Sequence, residues 1–202
     1  MSARLDISDL PWPQRLYESL KHHVDEATAR EVVGDHGGLE TLEDKARWTK
    51  AAVDRLDRAV PDEALRRRIV AACCCGCFKD KIDEVRAEFE RGGSRIEDLP
   101  QLMHGKFFLN PPEMEGRTIY ITKVPFDREG HEQAVTPFQK QRTFCHCEWV
   151  KAAEEPVSET YCYCGAGWAG QIFEHILGRE VEVEVVLSVL RGDPVCKIAV
   201  RV

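Results

Sequence analysis

The chain has 202 residues, with 35 acidic against 28 Lys and Arg side chains and a formal net charge of -7. That length suits one domain with a sizeable core, or a helical region leading into a compact α/β unit, and the acidic balance gives no general electrostatic reason to bind nucleic acid. No apolar run approaches the roughly 18 to 20 residues of a bilayer crossing, so a membrane protein is not expected.

The amino terminus, Met1-Ser2-Ala3-Arg4-Leu5-Asp6, lacks the apolar core of a secretory signal. Nine cysteines would form a disulfide framework in a short secreted chain, but their odd number, their runs of neighbours and the absent signal point to reduced thiols and a cytoplasmic location. Arg66-Arg67-Arg68 is read as a solvated helix face.

Residues 1–104 read as a helical region. Leu16, Leu20 and Val24 recur at helical spacing, and Asp35-His36-Gly37-Gly38 supplies a turn. A further helix starts at Thr41, whose Glu43 and Asp44 suit the positive end of the helix dipole, and it runs through Trp48, Ala52, Val53 and Leu56 toward Pro61. Leu65, Ile69, Cys73 and Cys77 then keep an i, i+4 stripe, which predicts that Cys73 and Cys77 share a helix face, with Gly76 ending or distorting the helix. Ile82, Val85 and Phe89 mark another helix, closed by Arg91-Gly92-Gly93.

Residues 105–202 change period. Residues 117–126, rich in Ile, Tyr, Thr and Val, read as a strand, and residues 143–150 as another, with Cys145, Cys147 and Trp149 on one side and His146 on the other. Residues 165–177 form an amphipathic helix stopped by Gly178. Val181, Val183, Val185, Leu187 and Val189 then alternate with polar residues, and Arg191-Gly192-Asp193-Pro194 turns the chain into a last strand. With those four residues as the loop, Val189 faces Cys196 and Leu187 faces Ile198. The predicted class is α+β: an N-terminal helical region, then an antiparallel sheet with a packed helix.

Cysteine grouping carries the chemistry. Closely spaced thiolates suit a soft metal, because each pair offers two donors to one ion at little entropic cost. Cys145 and Cys147 project together from a strand, and Cys162 and Cys164 lie beside a helix N-terminus, which favours thiolate. Cys77 is the best candidate of the upstream cluster, with Cys73 or Cys74 one turn back. The candidate metal ligands are therefore Cys77, Cys145, Cys147, Cys162, Cys164 and Cys196. Zinc is the first choice of ion, an iron–sulfur cluster the second. The default for Glu148 and Glu174 is a solvated carboxylate, with acid–base work near a metal as the alternative.

From Thr160-Tyr161-Cys162-Tyr163-Cys164 through Gly165-Ala166-Gly167-Trp168 and Leu177-Gly178-Arg179 to Gly192-Asp193-Pro194-Val195-Cys196, the chain resembles the vinyl-reductase-like (V4R) ligand-binding domain. More closely, it resembles an uncharacterised cysteine-rich bacterial and archaeal relative of that domain, some members of which are labelled aminothiazoline-carboxylate hydrolase. The resemblance implies a fold like that of NO-signalling and Golgi-transport domains, and a small-molecule sensor role. It also implies zinc bound by Cys162, Cys196 and a third position. That third position falls at Ser188, a poor zinc ligand that the expected hairpin register puts on the face opposite Cys196.

The resulting expectation is a metal-binding, small-molecule-binding or sensor protein, with a small ligand or metal ion as partner and a homodimer as an option. The alternatives are a metal- or thiol-dependent hydrolase of a small cyclic amide or thiazoline, and a thiol-redox or iron–sulfur protein.

Overall fold

Pro13 near its start and a buried stripe of Trp12, Leu16 and Leu20 make Trp12–Lys21 the first helix, α1. The computed structural model describes residues 7–107 and 109–202. The amino-terminal hexapeptide searched above for a signal lies outside them. Asp25 caps α2 (Glu26–Val33) by accepting from the Thr28 backbone N–H at 2.9 Å. Thr41 and Asp44 close a capping box at α3 (Leu42–Ala59), and Asp62 caps α4 (Glu63–Ala72). After α5 (Lys79–Arg91) and the short α6 (Leu99–Met103) come β1 (Glu113–Glu115) and β2 (Thr118–Thr122). Three short helices, α7 (Arg128–Gln133), α8 (Pro137–Phe144) and α9 (Glu148–Lys151), lead to α10 (Tyr163–Leu177) and the pair β3 (Glu182–Leu187) and β4 (Lys197–Arg201).

The chain is α+β. Among the described residues four strands form one antiparallel sheet in the order β1-β2-β4-β3. Ile119 pairs with Val200 and Ile121 with Ile198 on one side of β4, and Val183 and Val185 pair with the same two residues on the other. This apolar face is covered by α10 through Trp168, Ile172, Phe173 and Ile176. Gly178, at φ 66°, ends α10 in the left-handed conformation that glycine tolerates. A second core joins α1 to α4 with α9, around Leu16, Leu20, Trp48, Leu56 and Ile69. Its aromatic corner is Trp12, edge-on to Trp48 at 5.5 Å between centroids and to Trp149 at 6.4 Å.

The two cores meet where α4 crosses α10. Gly167 makes the crossing possible, because a Cβ there would fall on the Ala71 carbonyl of α4. Among the described residues no helix is long and apolar enough to cross a membrane.

Four expectations need correction. Residues 143–150 are not a strand: α8 ends at Phe144, residues 145–147 are extended loop and α9 follows. The deciding signal is a capping box of Thr136 and Gln139 with Pro137 at the helix start, which nucleates helix ahead of the β-prone residues. The strand expected over residues 117–126 is shorter, at Thr118–Thr122, and the three-residue β1 precedes it. The last hairpin has a longer loop, containing a 3-10 turn at Val189–Arg191, and an irregularity between Val185 and Leu187. Val185 rather than Leu187 therefore faces Ile198, a shift of two residues that keeps the apolar face intact. Finally, α4 stops at Ala72, so Cys73 and Cys77 do not share a helix face. Cys73 caps that helix, and the chain turns through Gly76 to Phe78, which takes a left-handed φ of 72° and starts α5.

Candidate functional site

A cavity of about 410 Å³ lies at the junction of the two cores. Its walls come from α1, from the turn between α4 and α5, from the loop between α8 and α9, and from the first turn of α10. The upper ends of β3 and β4 close it. All six of Cys77, Cys145, Cys147, Cys162, Cys164 and Cys196 line this one cavity, and Cys75 joins them. Cys73 and Cys74 are instead buried in the two cores.

The thiols fall into two neighbourhoods. In one, Cys162 hydrogen-bonds Cys196 and also meets the Ser188 hydroxyl at 2.9 Å, while the Cys145 sulfur is close enough to repel both thiolates. Ser188 is buried and turned inward by the 3-10 turn, which corrects the expectation that it faces away from this site. In the other, Cys77 hydrogen-bonds Cys75, and Cys164 lies near both. Cys164 Sγ is 3.9 Å from the Cys73 carbonyl oxygen, and Cys147 Sγ is 3.0 Å from the Tyr161 hydroxyl.

Proton affinities follow from these contacts. The hydrogen bond from Cys162 stabilises the Cys196 thiolate and brings that thiol down to about 7, against the opposing effect of burial. Its partner Cys162 is pushed well up, because the shared proton stays with it and because it is buried. The same sharing with Cys77 lowers Cys75 to about 6 and raises Cys77. Burial pushes Cys145 and Cys164 up, and the Lys123 ammonium partly offsets this at Cys145.

His146 also lines the cavity, and its Nε2 is 2.8 Å from the Val124 carbonyl oxygen, so that nitrogen is the N–H donor. Burial lowers its proton affinity and keeps the ring neutral. Glu148 is exposed on α9, and neither it nor Glu174 reaches the cavity.

Among the described residues no group of three or more His, Cys, Asp or Glu side chains is set to hold a metal ion as it stands. The donors are soft and numerous, but they are arranged as hydrogen-bonded pairs and single thiols. Coordination would need Cys side chains to move toward a common point.

Sequence reasoning left out Cys75, Arg15, Lys123, Trp12 and Tyr161. Cys75 lies off the i, i+4 stripe of a continuing α4, but the helix ends at Ala72 and the turn through Gly76 carries Cys75 into the cavity. Arg15 and Lys123 sit far from any cysteine in sequence and reach the site only through the packing of α1 and the exit of β2.

A family model described as a family of unknown function (DUF6144) matches residues 10–106 and 133–202. The chain belongs to DUF6144. All nine cysteines and Arg15 fall within the stretches matched to DUF6144, whereas Lys123 lies between them. No curated protein and no solved structure matches the chain.

Proposed function

We propose that this DUF6144 protein is a cytoplasmic metal-binding and small-molecule-binding or sensor protein whose cavity takes a soft cation, zinc first, on cysteine thiolates beside an apolar ligand space. The observation that carries the reading is the meeting of seven thiols, drawn from four separate stretches of chain, in one cavity. Thiolates of this kind favour a soft ion, and neighbouring Lys123 would reduce their mutual repulsion. Cys145, Cys162 and Cys196 are the nearest to a common donor set, with Cys77, Cys147 and Cys164 across the cavity as the other candidates. The V4R-like reading of residues 105–202 agrees with a ligand space beside the metal and belongs to this proposal.

The test is metal analysis with a visible spectrum of anaerobically purified protein. One equivalent of zinc in a colourless sample supports the reading; a coloured iron- and sulfide-containing sample replaces zinc with a cluster, and metal-free thiols overturn both. Replacing Cys162→Ser lowers metal content, and an unchanged stoichiometry takes that residue out of the ligand set.

A thiol-redox reading is the second, favoured by the Cys162–Cys196 hydrogen bond and by donors arranged in pairs. In it, the two thiols give two protons and two electrons to a hydroperoxide, forming one disulfide, an alcohol and water. Hydrolase chemistry has less support, since Glu148 is exposed and the proton acceptor would have to be a cavity thiolate or His146.

A further inference from the structure

Its thiols aside, the cavity is opposite in charge to the protein. The chain as a whole is acidic, at -7, yet the charged residues lining the cavity are Arg15 and Lys123, with no Asp or Glu among them. Arg15 donates to the Cys73 carbonyl at 3.0 Å, while its buried Nε has no hydrogen-bond partner. One turn earlier on α1, Trp12 is only 4% exposed, and its Nε1 likewise has no partner. Both atoms are fully buried, so a ligand relieves the cost of leaving them unmatched only if the α1 side chains turn toward the cavity.

Lys123 is placed against an electrostatic gradient. Its Nζ lies 5.0 Å from the Trp168 ring centroid and 3.1 Å from where a Cβ would stand on Gly165, in the first turn of α10. That turn opens a 15-residue helix with no acidic residue in its own first turn, entered from a 3-10 turn at Glu159–Cys162 that Ser158 caps. A cation there is disfavoured by the helix dipole, and an anion is favoured by both the dipole and the ammonium. Among the described residues no carboxylate pairs with Lys123 or Arg15.

Besides the cysteines and His146, the remaining walls are mainly aromatic and aliphatic, with Phe78, Phe144, Trp149, Tyr161, Trp168 and Ile198. A volume of about 410 Å³ falls in the range of small-molecule sites.

We infer that the ligand of this cavity is a small organic anion with a planar aromatic body, its charge matched by Lys123 and Arg15 and its ring held on the aromatic walls. The inference deepens the small-molecule half of the function proposed above and does not depend on the metal half. Trp12, Trp149 and Trp168 line the cavity and report occupancy through their fluorescence.

The test titrates the reduced full-length protein with naphthalene-2-carboxylate and, separately, with the neutral naphthalene-2-carboxamide of the same shape. The carboxylate should bind at least about tenfold more tightly than the amide, since charge-assisted hydrogen bonds are the stronger kind. That preference should be lost in Lys123→Gln or in Arg15→Gln. The Arg15 variant also loses the bond to Cys73, so Lys123→Gln, whose ammonium holds no hydrogen bond among the described residues, guards against misfolding. Equal binding of the two probes, or a preference that survives both substitutions, overturns the inference. Metal content measured on the same samples separates the two readings: an anion preference without metal defeats only the metal reading, and bound metal without the preference defeats only this one.

Discussion

Replacing Gly167→Ala tests whether the contact between α4 and α10 is as close as the structure has it. The added Cβ would fall on the Ala71 carbonyl, 2.6 Å from its carbon and 2.8 Å from the Ala71 Cα. Those atoms belong to the backbone of α4, so no side chain can swing aside and the helices must part. Forcing an extra methyl into a packed contact costs about 1–3 kcal/mol, and here the upper half applies because helix backbone obstructs it. Alanine returns about 1 kcal/mol of helix propensity, leaving a net loss of about 1–2 kcal/mol. Gly170→Ala, one turn along the same helix, is the control: its nearest outside atom is Val183 Cγ2 at 3.4 Å, an ordinary contact. That variant gains propensity and should be stabilised by about 0.5–1 kcal/mol. Guanidinium unfolding at constant m reads both, and the Gly167 variant should melt about 2–8 °C lower. A Gly167→Ala protein as stable as Gly170→Ala would refute the close crossing and, with it, the geometry that brings Cys164 to the Cys73 carbonyl.

Three further outcomes follow from local features. Thr41→Ala removes the capping box of α3 and should cost about 1 kcal/mol in an unfolding titration, whereas Thr41→Ser should cost little. Ile172→Ala empties a fully buried position between α10 and the sheet and should cost about 2–5 kcal/mol; a loss below 1 kcal/mol would mean that α10 does not cover that face. Brief alkylation of the native, reduced protein followed by peptide mass spectrometry should label exposed Cys75 first. Cys73 should be labelled last, because burial removes access to it and raises its thiol to about 12. Equal labelling of the two would contradict the turn that separates them.

What could be read from the sequence was local. Thr41, the Ile82-Val85-Phe89 stripe, Gly178 and the alternating valines of β3 each state their conformation within a few residues, through a cap, a period or a left-handed stop. The α+β class followed from those elements. Residues 143–150 misled because Thr, Phe, Cys, Trp and Val favour strands, while the signal that decides the matter, the Thr136–Gln139 box, lies upstream of them. The hairpin register failed for a related reason: alternation fixes which side chains share a face, but a bulge and a 3-10 turn reset the pairing without disturbing it. Within the site, cysteine spacing identified the sulfurs, yet not how they pair off. Cys75 with Cys77 depends on the turn at Gly76, while Cys162 with Cys196 is a tertiary fact, as is the delivery of Lys123 onto the first turn of α10.

Because its walls are shared between two hydrophobic cores, the cavity makes its occupant a fastener. A molecule bound there must be expelled before either half can come apart, so its affinity adds directly to the work of denaturation. At a hundredfold excess over its dissociation constant that addition is about 2.7 kcal/mol, enough to raise the melting midpoint of a chain this size by about 5–11 °C. Heat resistance thus becomes an assay: a library of metabolites can be screened against this protein by melting curve alone, before any reaction has been guessed.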